Sequence, residues 1–144
     1  GGADLARMRW SAPVAELLET CPDVHLTIWC YEDAPLIWEQ VMRSAAGIRE
    51  DVALHGMFDM AAQVMAGKGM ATLRTYIARR PPSSRAGQQR VTAAFIEAFG
   101  SEDTLFEEPP IPEWNEEFCA RLTELYEEDL ARIVAMDRVT AITR

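Results

Sequence analysis

The feature that most constrains this chain is the stretch of residues 24–47, VHLTIWCYEDAPLIWEQVMRSAAG. Residues 24–30 are largely apolar or aromatic on both alternating faces, which predicts a strand buried on both sides, as in a parallel or mixed sheet covered by helices. Asp33 is expected to cap the following helix, with Pro35 near its first position and Gly47 at its end. A strand, a capping turn and a helix form a βα unit.

The remaining pattern is mainly helical. A helix capped by Ser11 precedes the strand, and residues 51–66 and 70–80 carry apolar residues at helical spacing, with Gly-Lys-Gly at 67–69 as an interruption. Pro81-Pro82 is expected to stop the second of these helices, and Ser83 or Ser84 to cap the next, which Gly100 closes.

The C-terminal third predicts the longest helix, capped by Asn115, and then a second short strand at residues 139–143, VTAIT. The predicted fold is therefore α/β or α+β and mainly helical, with five to seven helices around a minimal β element made of residues 24–30 and 139–143. We expect one domain or domain fragment. Its parts are the strand–turn–helix unit 24–47, a helical region 48–100, an acidic proline-rich loop 101–112, and a long helix with a short strand in 113–144.

Composition limits the environment and the partners. The net charge of −9 over 144 residues argues against nucleic acid, and no apolar run has the length of a membrane helix. The three cysteines do not have the number and spacing of a disulfide framework, which favours a reducing compartment. A cytoplasmic location is therefore expected. The start at Gly-Gly suggests a tag remnant or a chain cut from something longer.

The charges are distributed unevenly. Residues 60–96 contain no acid, whereas residues 97–129 contain many acids and the single base Arg121. Guanidinium groups suit sulfate and phosphate, so the basic segment is a candidate anion-binding site. Its residues are Arg79, Arg80, Arg85 and Arg90. The alternative is a solvated face that docks onto the acidic last third.

No catalytic group stands out, and no metal site is expected. Cys21, His25 and Cys30 match no zinc spacing. His55 and Asp59 lie one helical turn apart, which is far more often a solvated contact than a site.

Three segments carry a resemblance to a known family: LTIWCYEDAPLIW, IPEW and LTELYEEDLARIVAMDRVTAI. Together they resemble the C-terminal part of bacterial sulfotransferase-like proteins, in which a strand ending in W-x-Y-E-D leads to a helix and a Pro-x-Trp later introduces a long helix and a terminal strand. The matching structural residues are Trp29, Tyr31, Glu32, Asp33, Trp114, Tyr126 and Asp129.

The resemblance implies a parent that uses the sulfate donor PAPS, bound in that family by a phosphate loop after the first strand. This sequence has no G-x-x-x-x-G-K-type loop. We therefore expect no cofactor in this chain itself, and the role of completing the fold and the acceptor side without independent turnover. The alternative is a helical interaction module whose task is assembly.

Two kinds of partner are expected. One is the missing N-terminal half of a longer parent. The other is a second copy in a homodimer, because a two-stranded element leaves apolar edges that pair readily with another chain.

Overall fold

The computed structural model describes residues 9–100 and 115–144. These residues form six α-helices, a short 3₁₀ turn and two strands, so the fold is mainly helical with a minimal β element, as predicted. The helices are α1 (Ser11–Thr20), α2 (Ala34–Ala46), α3 (Asp59–Val64), α4 (Gly67–Arg79), α5 (Arg85–Phe99) and α6 (Glu116–Val134). The strands are β1 (Leu26–Trp29) and β2 (Val139–Ile142), and the 3₁₀ turn is Tyr31–Asp33. The segment predicted as an acidic loop, with Trp114, lies outside the described residues.

The two strands are neighbours in a parallel sheet, and the backbone N–H of Leu26 donates to the carbonyl of Arg138 at 2.9 Å. A parallel pair needs a long crossover, which the intervening helices provide. The prediction that β1 is buried on both sides was wrong. Leu26 and Ile28 are half-buried, whereas Thr27 and Trp29 are exposed, because only one face of the strand is covered.

The chain separates into two compact units. The terminal unit contains described residues 9–28 and 115–141, with α1, α6 and most of both strands. Its helices bury Leu18, Leu125 and Ile133. Leu17, next to Leu18 in α1, is exposed.

The central unit contains described residues 29–100 and 142–144, with α2 to α5. Its core is a cluster of Ala61, Met65, Met70 and Leu73, and partly buried side chains of α4 and α5 pack against it. The methionines at 65 and 70 are therefore core residues.

Two predicted helix boundaries in the central unit were wrong. Residues 51–58 are irregular, and α3 begins only at Asp59. Gly56 has φ 83°, a left-handed conformation that ends any helix there. Gly-Lys-Gly does not interrupt a helix but begins α4. Pro81-Pro82 does end α4, and Ser84 caps α5 by accepting from the N–H of Gly87 at 3.1 Å.

Helix α2 begins and ends as its sequence indicates, with Pro35 in its first turn and Gly47 at φ 62° after its last. The predicted cap by the Asp33 side chain was wrong. Asp33 is the last residue of the 3₁₀ turn, and its carboxylate pairs with Arg144 at 3.3 Å instead of accepting from the helix. In α6 the cap is as predicted, because Asn115 Oδ1 accepts from the N–H of Phe118 at 2.8 Å.

Candidate functional site

The four arginines predicted to bind an anion have different surroundings. Arg85 Nη2 lies 2.6 Å from both carboxylate oxygens of Glu50, and this contact holds the pKa of Glu50 below its ordinary value. The guanidinium of Arg80 lies over the ring of Tyr76 at 6.0 Å. Arg79 and Arg90 form no ion pair with any residue that the structure describes. The partner of Arg85 is thus an acid from the loop after α2.

The motif residues that carry the sulfotransferase-like resemblance also differ in environment. Tyr31 is 77% exposed, and Trp29 and Tyr126 are each about two-fifths exposed. Glu32 is exposed, and Asp33 pairs with Arg144. Asp129 alone among the described motif residues is buried, at 4% exposure.

Asp129 holds the start of α1. Its carboxylate accepts from the backbone N–H of Trp10 at 2.6 Å, from the N–H of Ser11 at 3.0 Å and from the Ser11 hydroxyl. Burial disfavours the charged form, but these hydrogen bonds and Arg9 favour it more strongly, so the pKa of Asp129 lies below its ordinary value. A carboxylate at a helix N-terminus satisfies orphan N–H groups and suits the helix dipole. Asp129 is therefore a structural residue of the terminal unit.

Arg138, the residue before β2, also binds backbone groups that are distant in sequence. Its guanidinium donates to four backbone carbonyls, those of Leu18, Cys21, Pro22 and Val24, at 2.6 to 3.2 Å. Its backbone has φ 65°, an uncommon conformation for a residue with a side chain. The side chain thus ties the end of α1 and the approach to β1 to the start of β2.

The central unit contains an open cleft of about 300 Å³, counted with its mouth, between α2 and α5. The apolar part of its lining comes from the start of α2 and from the residues just before α3. These residues are Pro35, Leu36, Met57 and Phe58.

The rest of the cleft lining is polar. Helix α2 contributes Glu39 and Gln40, one turn beyond its apolar start. Helix α5 contributes the other polar side chains, which are Arg85, Gln88, Gln89 and Thr92. Gln88 Nε2 lies 3.3 Å from Glu39 Oε2, which connects the two helices across the cleft.

A buried arginine fixes one wall of the cleft. Arg43 donates to Glu39 Oε1 from both Nε and Nη2, at 3.0 and 2.8 Å. It also donates to the carbonyls of Arg49 and Val52 at 2.6 and 3.0 Å. The loop after α2 is therefore held against that helix. Met57 and Phe58 follow this loop and line the cleft beside α2.

Sequence reasoning missed this cleft. Glu39 and Arg43 are spaced four apart and could have been recognised as a helix pair. Glutamines carry no motif, however, and nothing in the sequence brings Gln40 near Gln88 and Gln89. The predicted absence of a metal site stays a prediction. In residues 9–100 and 115–144, no three His, Cys, Asp or Glu side chains are grouped to hold an ion.

Comparison with known proteins gave no relative. No protein-family model, no curated protein and no solved structure matches this chain. Among the described helices, none combines the length and the apolar character that crossing a membrane requires.

Proposed function

We propose that this chain is the C-terminal region of a bacterial sulfotransferase-like protein. In that role it completes the parallel sheet and shapes the acceptor side, and it has no turnover of its own. The proposal is supported by the three sequence segments that resemble this part of the family and by the order strand, turn and helix that residues 24–47 adopt.

The observation that carries the proposal is the two-stranded parallel sheet. Parallel sheets normally have more strands and are covered on both faces. Here β1 has one half-buried face and one exposed face, with Trp29 42% exposed on the latter. A larger sheet in a longer parent accounts for this exposure, because further strands and helices would cover it.

The proposal places the binding of the sulfate donor PAPS outside this chain. β1 runs directly into a 3₁₀ turn and α2, without a glycine-rich loop between strand and helix. Arg85, a candidate phosphate ligand, is already paired with Glu50. The proposal therefore assigns donor binding and sulfate transfer to the parent and no catalytic residue to this chain.

Calorimetry with PAP, the desulfated donor, tests this division. The chain alone is expected to show no PAP binding with a dissociation constant of about 100 μM or less. The intact gene product, measured in parallel, is expected to bind PAP with a dissociation constant of about 1 μM to 100 μM. Micromolar binding by residues 1–144 alone contradicts the proposal.

A cytoplasmic location belongs to the same proposal. It is supported by Cys21, Cys30 and Cys119, none of which forms a disulfide within the described residues.

An assembly module is the second candidate. It is favoured by the large apolar side chains that lie exposed in and beside β1, namely Val24, Trp29 and Tyr31. A partner chain covering them would give the same burial that a longer parent gives.

A further inference from the structure

Three aromatic side chains form a row where α4 and α5 of the central unit pack together. The rings of Tyr76 and Phe95 lie 5.7 Å apart, and those of Phe95 and Phe99 are also 5.7 Å apart. Phe95 is partly buried against the core, and Phe99 lies against Gly69 of α4. Tyr76 and Phe99 are nevertheless each 37% exposed. Neighbouring aromatic side chains that remain exposed are typical of a protein–protein contact surface.

The helices that carry this aromatic row are basic. Every charged residue in positions 60–96 is a lysine or an arginine, in a chain whose net charge is −9. Arg85 pairs with Glu50. The other bases of this segment form no ion pair with any residue that the structure describes, and they are Lys68, Arg74, Arg79, Arg80 and Arg90. A partner that carries both acidic and apolar groups is complementary to such a surface.

Arg80 brings the positive charge directly to the aromatic row. Its guanidinium lies 6.0 Å from the centre of the Tyr76 ring, and its side chain is exposed. Tyrosine and arginine are the residue types that contribute most often to the binding energy of protein interfaces. The end of α4 therefore combines an apolar contact and an unpaired charge in one place.

The spacing of the rings indicates the shape of the partner. One turn of an α-helix rises about 5.4 Å, which is close to the 5.7 Å between neighbouring rings. A helix lying along the aromatic row would place one apolar side chain per turn against it, which is how amphipathic helices bind in grooves. An extended strand repeats on one face about every 6.6 Å and matches the row less well.

Single-stranded nucleic acid also binds to cations and aromatic rings, but this surface suits it less. Its bases stack on the faces of aromatic side chains. Phe95 and Phe99 are stacked on each other at an interplanar angle of 23°, so one face of each ring is already covered. The net charge of −9 opposes a long polyanion more strongly than a helix with a few acidic residues.

We propose that the surface formed by α4 and α5 binds an acidic amphipathic helix of a partner protein. The apolar face of that helix lies on Tyr76, Phe95 and Phe99, and its carboxylates pair with Arg80 and the other unpaired bases of the two helices. The proposal goes beyond the proposed function and does not rest on it, because every residue that it uses lies in the central unit.

Binding of a synthetic peptide to residues 1–144 tests the proposal. The peptide has about 18 residues, with leucine once per turn on one face and glutamate and alanine elsewhere, so that it can form a helix. Amide NMR is expected to show saturable shifts in the second halves of α4 and α5, with a dissociation constant of about 10–100 μM. A peptide of the same composition whose leucines do not share a face should bind at least about tenfold more weakly.

Three variants of the chain make the result specific. Arg80→Glu reverses an exposed charge and should weaken binding by about tenfold. Arg49→Glu is the matched control, because Arg49 is exposed in the loop after α2 and already pairs with Asp51. It makes the same change of charge and should alter the affinity by less than about twofold. Tyr76→Ala removes one ring of the row and should also weaken binding by about tenfold. Thermal unfolding checks that each variant is folded.

Three results would overturn the proposal: no saturable binding of the acidic peptide, equal binding of the peptide with scattered leucines, or equal affinities of Arg80→Glu and Arg49→Glu. Tighter binding of single-stranded oligothymidylate at the same amides would also overturn it and would favour a nucleic-acid partner. None of these results bears on PAP binding by the intact gene product, so the proposed function stands or fails separately.

Discussion

Asp129 fixes the beginning of a helix that lies more than a hundred residues away in sequence. Ser11 was predicted to cap α1, but it lies inside the first turn and its hydroxyl donates to Asp129. The N–H groups of Trp10 and Ser11 donate to the same carboxylate. One buried side chain of α6 thus satisfies both backbone donors, and its removal leaves them without a partner.

Asp129→Ala is expected to lower the free energy of unfolding by about 2–3 kcal/mol, because charge-assisted hydrogen bonds are lost and two backbone N–H groups lose their acceptor. Urea denaturation measures the change. Glu128→Ala, at the neighbouring exposed position of the same helix, is the control and should change it by less than about 0.5 kcal/mol. Equal effects of the two substitutions would contradict the capping role.

The pH dependence of stability has a definite sign. Because the pKa of Asp129 is lowered in the folded chain, its contribution is fully present above the ordinary aspartate pKa of about 4 and is lost as the pH falls through the lower folded value. The free energy of unfolding should therefore decrease as the pH falls below about 4. Asp129→Asn should make this decrease shallower. A slope identical in both proteins would show that Asp129 does not contribute to it.

At the scale of elements, the packing of α4 on α5 depends on a glycine inside a helix. A Cβ at Gly69 would lie 2.5 Å from the Cβ of Phe99 and 3.0 Å from its Cγ. Both atoms are close to the backbone of α5, so they cannot move without shifting that helix. The close approach explains why α4 tolerates a residue that is poor for helix formation.

Gly69→Ala is expected to destabilise the chain by about 1–3 kcal/mol despite the gain in helix propensity. Gly67→Ala is a matched control in the same turn, since a Cβ there meets nothing within 4 Å. It should be neutral or stabilise by up to about 0.5 kcal/mol. Thermal unfolding distinguishes the two. A Gly69→Ala chain as stable as the control would refute the close contact.

Sequence reasoning succeeded where local chemistry decides the structure. Gly47, Ser84 and Asn115 end or begin helices through groups within three or four residues, so their pattern is readable. It failed where a distant group decides. Ser11 is held by Asp129, and the loop after α2 is held by Arg43, so neither local pattern predicts the outcome.

The candidate site shows the same limit. Arg85 was recognised as part of a basic segment. Its partner Glu50 lies in the loop after α2, just before residues 51–66, which were predicted to form a helix. The grouping of Gln40, Gln89 and Thr92 depends on how α2 packs against α5, and no spacing in the sequence encodes it. Their residue types are common on solvated helix faces.

At the scale of the whole molecule, exposed apolar side chains at β1 predict self-association of the isolated chain. Val24 and Trp29 are exposed there, and a second copy could cover them through edge pairing or exchange of a terminal segment. Light scattering at about micromolar concentration is expected to give twice the 16.1 kDa mass of one chain. A mass of one chain that does not change on concentration would exclude the dimer.

Two lysine substitutions in β1 test whether folding and self-association depend on the half-buried face of this strand. Ile28→Lys places a charge on the half-buried face and should impair folding and association together. Thr27→Lys places the same charge on the exposed face and should leave folding intact. Equal loss of folding in both variants would contradict the assignment of the two faces.

The central claim is that these residues complete a longer sulfotransferase-like protein. Mass-spectrometric sequencing of the native polypeptide, in the organism that encodes it, tests this claim most directly. The account predicts that peptides will be found upstream of Gly1 in the same polypeptide. Their sequence should show the pattern of a strand, a phosphate-binding loop and a helix. A native polypeptide that begins at or near Gly1 would contradict the claim and favour an assembly module.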